Sequence, residues 1–247
     1  HSGIPSIGIP CTIDNDITST EYTLGFDTAL RNTIEMADAL RDTCNSHKRC
    51  NVIEVMGRNC GQIALHAAIA TGATAVAVPE APGAFDADRV IDRMIEARRG
   101  GKRSFLVFFA EGAVDTTLEE TARKSALDDA IEKYRDGKIG ELELARSASA
   151  AYVSSYGERF AARLEKRSRE AFAEHYAKSN DIHFRGSYIE TKFARFAHIA
   201  RGGRPTTYDR VTASLMGQLA VDLIAAGEYN RVVCVQDGEV THMDMVE

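Results

Sequence analysis

Short apolar runs alternate with stretches of helical spacing along the first 110 residues of the chain. The runs predict strands over 4–9, 52–56, 75–78 and 105–109. Apolar side chains that recur every three or four residues predict helices over 26–44, 63–70 and 88–98. The run at 105–109 is apolar throughout, which is typical of a strand buried on both faces. This alternation predicts an α/β fold, with a mainly parallel sheet and helices on both of its faces.

The chain from 113 to about 185 has a different pattern, dominated by charged residues. The residues from Thr117 to Glu120 form a capping box before one charged helix, and a second charged helix is predicted over about 147–175. We interpret this segment as a helical insertion whose charges form a solvated surface.

A further helix and strand are predicted after this segment. Pro205 marks the start of the helix and Gly227 its end. The apolar stripe of this helix consists of Val211, Leu215, Leu219 and Leu223. A last strand is predicted over 231–236.

Composition narrows the class of protein. With 247 residues, 44% of them hydrophobic and 27% charged, the chain suits a soluble globular protein of one large or two small domains. The net charge of −6 gives no basic footprint for nucleic acid. No apolar run approaches the roughly 18 residues of a membrane span, and no signal peptide is visible. The five cysteines lack metal-site spacing and indicate reduced thiols in a cytoplasmic protein.

Polar clusters follow several of the predicted strands. Thr12, Asp14 and Asp16 come shortly after the first, Arg58 after the second and Glu111 after the fourth. Ligands of open α/β sheets bind beyond the carboxyl ends of the strands, so three separate strands deliver polar groups to one edge. Of two carboxylates two residues apart, one can accept a proton while the other helps to hold a metal ion. A polar turn, capped by Asp and Asn, is the alternative interpretation of this stretch.

These clusters carry a family resemblance. The matching segments are 8–16, 25–28, 46–49, 52–58 and 198–203, followed by Pro205 and by Tyr208 to Arg210. In this order they resemble the bacterial-type ATP-dependent 6-phosphofructokinases (the phosphofructokinase A family). The resemblance implies phosphoryl transfer from ATP to the 1-hydroxyl of fructose 6-phosphate, a step of glycolysis.

The resemblance also implies a fold and a division into domains. We expect two Rossmann-like three-layer α/β/α domains with only part of the first present. Residues 1–25 and 201–247 would be the remainder of the large, nucleotide-side domain. Residues 26–200 would form the substrate-binding domain, including the helical insertion at about 113–185. Because relatives carry a glycine-rich phosphate loop that is not found here, we expect a piece of a longer enzyme that is inactive alone.

The roles of the site residues follow from the same resemblance. Asp14 would be the base, Asp16 would bind Mg²⁺, and Thr12 and Arg58 would contact the transferring phosphoryl group. The residues expected around the sugar phosphate are Thr12, Asp14, Arg49, Met56, Gly57, Arg58, Glu111, Lys192, His198 and Arg201. Arg49 and Lys192 would come from a neighbouring subunit, which implies a homo-oligomer, expected to be a tetramer, with composite sites.

Three differences from relatives, at Lys192, Thr74 and Cys11, bear on sugar-phosphate binding, regulation and the donor. Lys192 replaces the family's arginine, and it keeps the charge but loses the planar fork of donors. Arg41, Gly72 and Lys102 match positions of the family's effector site, but Thr74 replaces its glutamate, so we expect weak or no activation by nucleotide. Pyrophosphate-dependent relatives usually carry lysine where this chain has Cys11, which favours ATP as donor. A pyrophosphate-dependent enzyme and a non-catalytic chain remain the alternatives.

Overall fold

A four-stranded parallel sheet organises most of the chain. The computed structural model describes residues 4–114, 129–144, 155–179 and 187–245. The strands, in chain order, are β4 (Cys50–Val55), β5 (Ala75–Ala77), β6 (Phe105–Ala110) and β7 (Thr191–Arg195). They lie side by side in the order β5-β6-β4-β7, and every neighbouring pair is parallel. The predicted parallel sheet is confirmed, although no pattern in the sequence indicated β7.

Helices cover both faces of this sheet, as predicted. Helices α1 (Phe26–His47) and α2 (Gln62–Thr71) pack on one face. Helices α3 (Ala87–Arg99) and α4 (Tyr156–Ser179) pack on the other. Alternate residues of β6 point to opposite sides of the sheet. Phe105, Val107 and Phe109 therefore join the core beneath α3 and α4, while Leu106, Phe108 and Ala110 join the core beneath α1 and α2.

Helix α4 has a buried apolar face that the interpretation of 113–185 as a helical insertion with a solvated charged surface does not include. Its apolar residues Phe160, Leu164 and Phe172 are fully buried in the core against the sheet. Its charged side meets α3, where Arg163 and Arg167 pair with Asp88 and Arg167 also pairs with Asp92 at 2.6 Å. Helix α4 therefore forms part of one of the layers over the sheet. The capping box at Thr117 to Glu120 and the first part of the predicted second helix lie outside the described residues.

A smaller sheet carries the two ends of the described chain. It contains β1 (Ile7–Gly8), β8 (Arg231–Gln236) and β9 (Glu239–Asp244), with β8 in the centre. The first strand is shorter than the predicted 4–9, and the strand at 231–236 is confirmed. The prediction that it is the last strand was wrong, because Asp237 and Gly238 both adopt positive φ angles and join β8 to β9 in a two-residue hairpin.

Helix α5 (Thr207–Ala225) packs on this smaller sheet. Thr206 caps it by accepting a hydrogen bond from the backbone N–H of Asp209 at 3.3 Å. Met216, Ala220 and Leu223 face Val233 and Val235 in the core. The predicted apolar stripe is only partly buried, since Val211 and Leu215 are about half exposed, at 52% and 49%. The buried face of α5 is rotated by about one residue from the predicted stripe.

The remaining elements connect the two sheets. Strands β2 (Cys11–Thr12) and β3 (Leu24–Gly25) form a short parallel pair that leads directly into α1. A 3₁₀ helix (Ala197–Arg201) follows β7. Among the described residues, no helix combines the length and the apolar character that crossing a membrane would require.

Candidate active site

The loop after β2 places Thr12, Asp14 and Asp16 in a turn that is held by a side chain. The Oδ1 atom of Asn15 accepts a hydrogen bond from the backbone N–H of Thr23 at 2.8 Å. The Thr23 hydroxyl donates to the carbonyl of Thr12 at 2.7 Å, and the Thr12 hydroxyl accepts from the Asp14 N–H at 3.2 Å. The Asn15 side chain thus has the role that the alternative interpretation, a polar turn, gives it. Asp14 and Asp16 lie on either side of Asn15.

The loop after β4 presents Arg58 on a backbone that glycines and a carboxylate hold in place. Glu111 Oε1 accepts hydrogen bonds from the backbone N–H groups of Arg58 at 2.7 Å and Gly57 at 3.3 Å. A Cβ on Gly57 would lie 2.2 Å from the carbonyl oxygen of Cys60, and one on Gly112 would lie 1.9 Å from that of Arg58. Glu111 therefore has a positioning role that sequence reasoning missed.

Several charges converge on Asp14. Burial raises the pKa of Asp14 above the ordinary aspartate range, and the carboxylates of Asp16 and Glu111 raise it further. Arg201 and Arg58 oppose this shift. The structure therefore brings residues that follow β2, β4, β6 and β7 near one carboxyl group. Arg58 and Glu111 follow two strands of one parallel sheet, as predicted. The prediction was wrong for the first strand, because β1 pairs with β8 in the smaller sheet and Asp14 follows the short β2.

Two further contacts fix this group of residues. The Cys60 thiol donates to the backbone carbonyl of Asp14, with Sγ 3.1 Å from the oxygen, and links the loop after β4 to the loop after β2. The side-chain amide of Asn32 on α1 donates to the carbonyls of Ala200 at 3.2 Å and Gly202 at 2.6 Å, which anchors the 3₁₀ helix. Cys60 and Asn32 belong to no recognisable sequence motif, and their roles are visible only in the folded chain.

The 3₁₀ helix and the end of β4 supply the other predicted residues of this edge. His198 and Arg201 are exposed on the 3₁₀ helix, so His198 is not a core histidine. Met56 is half-buried directly after β4. Together with Gly57, Arg58 and Glu111, they lie at the carboxyl ends of the parallel strands.

Arg49 and Lys192 lie at the opposite edge of the same sheet. They sit at the start of β4 and β7, where the two strands pair with Cys50 opposite Thr191. Glu190 binds both, through Arg49 Nε at 2.7 Å and Lys192 Nζ at 3.1 Å. A six-residue strand spans roughly 17 Å, so one chain does not bring these cations to Arg58 and Glu111.

The predicted effector residues also lie at this amino edge. Arg41, near the end of α1, donates to the carbonyl of Thr71 in the last turn of α2. Gly72 ends α2 with φ 61°, in the left-handed region that favours glycine. Lys102 is exposed just before β6, with Nζ 5.2 Å from the ring centroid of Phe105.

Comparison with known proteins identifies the family. A family model described as phosphofructokinase matches residues 1–224. The chain belongs to the phosphofructokinase family. It is 35% identical to the ATP-dependent 6-phosphofructokinase of Brevibacillus brevis over 247 residues, which cover all of this chain and 58% of that protein. It is 34% identical to ATP-dependent 6-phosphofructokinase 1 of Clostridium perfringens over 245 residues, or 99% of this chain and 57% of that protein.

Solved structures show the same phosphofructokinase fold. The match to phosphofructokinase from Saccharomyces cerevisiae has a TM-score of 0.67 at 24% identity, and covers 98% of this chain and 26% of that one. The match to a pyrophosphate-dependent phosphofructokinase from Marinobacter aquaeolei has a TM-score of 0.61 at 19% identity, and covers 99% of this chain and 52% of that one. The predicted family and fold class are confirmed, and the chain spans a little over half the length of its curated relatives.

The acidic residues at the carboxyl edge have the oxygen ligands that hard cations such as Mg²⁺ prefer. Mg²⁺ is usually held by one or two carboxylates together with substrate phosphates, and not by a cage of protein ligands. Asp16 is an exposed carboxylate close enough to Asp14 to raise its pKa. Among the described residues there is no cluster of three or more His, Cys, Asp or Glu side chains that could hold a metal ion.

Asp209 links α5 to the start of α1. This buried carboxylate on α5 accepts hydrogen bonds from the backbone N–H groups of Gly25 at 2.9 Å and Thr28 at 3.0 Å, and from the Thr28 hydroxyl. It thereby caps the start of α1, where a negative charge is favourable. Asp209 belongs to a segment that resembles the family, but its role depends on a contact with Thr28, 181 residues away in the sequence.

Proposed function

We propose that this chain forms the reacting core of an ATP-dependent 6-phosphofructokinase. The enzyme transfers the γ-phosphoryl group of ATP to the 1-hydroxyl of fructose 6-phosphate and yields fructose 1,6-bisphosphate and ADP. The observation that carries the proposal is the convergence of Asp16, Glu111, Arg58 and Arg201 on the Asp14 carboxyl group. The family membership and the named activity of the curated relatives support the choice of reaction.

Asp14 is proposed as the base for the sugar hydroxyl. The 1-oxygen attacks the γ-phosphorus, the bond to the β,γ-bridging oxygen breaks, and the hydroxyl proton passes to Asp14. A pKa raised by burial and by neighbouring carboxylates makes Asp14 a better proton acceptor. Thr12 and the planar guanidinium of Arg58 are proposed to contact the transferring group.

Asp16 is the proposed holder of Mg²⁺, directly or through water. When bound, Mg²⁺ would neutralise charge on the phosphate oxygens of the donor. Because Asp16 is exposed, a hydrated ion and the phosphates of ATP would have space beside its carboxylate.

The sugar phosphate is proposed to bind across two subunits. Met56, Gly57, Glu111 and Arg201 would surround the sugar hydroxyls, and His198 would contact the 6-phosphate. Arg49 and Lys192 lie too far from this group within one chain, so a neighbouring subunit would supply them. We therefore propose a homo-oligomer, a tetramer by resemblance, in the cytoplasm. Residues 1–25 and 201–247 would belong to the nucleotide-side domain and 26–200 to the substrate-binding domain.

Pyrophosphate is the second candidate for the donor. Two of the solved structures with the same fold are named pyrophosphate-dependent phosphofructokinases. Against this donor stands Cys11, a small exposed residue that leaves space where those relatives usually have a lysine. ATP therefore remains the proposed donor.

A donor comparison tests the proposal. The full-length enzyme would be assayed with fructose 6-phosphate and with ATP or pyrophosphate at equal Mg²⁺ concentration. We expect a higher kcat/KM with ATP. A higher value with pyrophosphate would overturn the argument from Cys11, and no turnover with either donor would overturn the proposed function.

A further inference from the structure

Glu190 binds both cations that are proposed to receive the 6-phosphate. Its Oε2 atom lies 2.7 Å from Arg49 Nε, and its Oε1 atom lies 3.1 Å from Lys192 Nζ. Its own carbonyl accepts a hydrogen bond from the Cys50 N–H at 2.8 Å, which fixes Glu190 where β4 and β7 begin. One carboxylate thus spans an arginine and a lysine that neighbouring strands hold side by side.

The carboxylate is ionised and open to solvent. Hydrogen bonds from Arg49 and then from Lys192 lower the pKa of Glu190 below the ordinary glutamate range. The side chains of Arg49 and Glu190 are about one-quarter exposed and that of Lys192 more than half. A dissolved phosphate can therefore reach the same donors, and Glu190 occupies them in its absence.

Glu190 reduces the net positive charge that an incoming phosphate meets. Arg49 and Lys192 carry two positive charges, and Glu190 cancels one of them. The nearby Glu165 is balanced by its own partner, because Arg169 pairs with it at 2.8 Å. A sugar phosphate with a charge close to −2 near pH 7 therefore meets a weaker cationic site than the two cations alone would provide.

We propose that Glu190 sets the affinity for the sugar phosphate by competing with it for Arg49 and Lys192. The inference rests on the proposed function, since it requires that these two cations bind the 6-phosphate. Glu190 does not touch the reacting atoms, so its effect falls on substrate binding and not on the phosphoryl transfer. Both of its oxygens are engaged, and the incoming phosphate must displace or repel the carboxylate to gain the same donors.

The test is the Glu190→Gln variant of the full-length enzyme. Glutamine keeps the shape and an acceptor oxygen but removes the charge. We expect the KM for fructose 6-phosphate to fall roughly threefold to fivefold, the size typical of one exposed ion pair. The kcat and the KM for ATP should stay unchanged. Equilibrium binding of fructose 6-phosphate without nucleotide should tighten by the same factor.

Two further variants serve as controls. Glu174→Gln removes the same charge from a surface pair with Lys178 on α4 and should change nothing. Glu190→Asp keeps the charge and should stay close to the parent enzyme. An unchanged or higher KM in Glu190→Gln would overturn the inference, since a residue that only orients the two cations would weaken binding when altered.

Arg49→Ala separates the inference from the proposed function. We expect this variant to raise the KM for fructose 6-phosphate tenfold or more, because it removes a charge-assisted donor to the phosphate. An unchanged KM in Arg49→Ala would overturn the placement of the phosphate and this inference with it. A raised KM in Arg49→Ala, with no fall in Glu190→Gln, would overturn this inference alone.

Discussion

The two edges of the parallel sheet are built in different ways. At the carboxyl edge, loops after β2, β4 and β6 and the 3₁₀ helix bring acids and bases around Asp14. Backbone groups hold these loops, as when Glu111 accepts from two backbone N–H groups of the loop after β4. At the amino edge, the side chains of Arg49 and Lys192 pair with the partly exposed carboxylate of Glu190.

The difference suits the two edges to different functions, positioning of reacting groups at the carboxyl edge and exchange of anions at the amino edge. A reaction needs groups fixed to within a fraction of an ångström, and backbone hydrogen bonds together with close glycine contacts provide that at the carboxyl edge. Exposed ion pairs are weak and easily exchanged, which suits cations that must release one anion to bind another. In the proposed oligomer, each site combines the rigid edge of one subunit with the adaptable edge of its neighbour.

The largest effect is expected from Asp14→Asn in the full-length enzyme. Loss of a positioned base should lower kcat by roughly 10² to 10⁴, while the KM for fructose 6-phosphate stays nearly the same. Steady-state kinetics would measure both, with Asp42→Asn, an exposed change on α1 near the amino edge, as control. A variant that keeps more than about half of the parent kcat would exclude Asp14 as the base.

Mixed oligomers test directly whether the two edges cooperate across subunits. At fructose 6-phosphate concentrations well below the KM of the Arg49→Ala variant, co-expression of Asp14→Asn and Arg49→Ala chains should restore part of the activity, because some sites then pair an intact Asp14 with an intact Arg49 from the neighbour. Random mixing gives about one quarter of such sites in a symmetric interface. Activity no higher than that of the two separate variants would mean that one subunit supplies both groups.

Asp209→Ala should lower the stability of the fold, because it removes the contact between α5 and the start of α1. The variant loses a buried carboxylate that accepts hydrogen bonds at the start of α1, and we expect unfolding to become easier by roughly 2–3 kcal/mol. Urea unfolding would measure the change, with the exposed Asp222→Ala on the same helix as control. Equal stability of the two variants would contradict the linking role of Asp209.

Lys192→Arg tests the amino edge with a smaller effect. Arginine restores the family's bidentate donor, so the KM for fructose 6-phosphate should fall a few-fold. Kinetics of this variant would be compared with those of Lys178→Arg, a matched change in a surface pair on α4. If the KM for fructose 6-phosphate were unchanged or higher, Lys192 would not be at the phosphate.

The smallest expected effect concerns the predicted effector residues. Arg41 and Lys102 provide positive charge, but Thr74 supplies no carboxylate through which a metal ion could be held. Saturation curves for fructose 6-phosphate should therefore overlay with and without a nucleoside diphosphate. A clear shift to lower substrate concentration would show that another residue completes an effector site.

The sequence alone determined the elements whose signals are local. The uninterrupted apolar run at 105–109 and the helical spacing on either side of it were enough to predict a parallel sheet covered on both faces, because periodicity decides which face of an element is buried. The same reasoning placed Arg58 and Glu111 at the carboxyl edge. The hairpin at Asp237 and Gly238 also had a local signal, the Asp-Gly turn, which the strand prediction overlooked.

Tertiary structure decided what depends on distant partners. Strand β7 has no clear alternation of apolar and polar residues, and its pairing with β4 defines it as a strand. The charged helix α4 covers the sheet because its Phe160 and Leu164 are buried in the core there. The bridge from Glu190 to Arg49 spans 141 residues of sequence. Local propensity acts over a few residues, whereas such contacts arise only when packing brings distant segments together, so no pattern along the chain could indicate them.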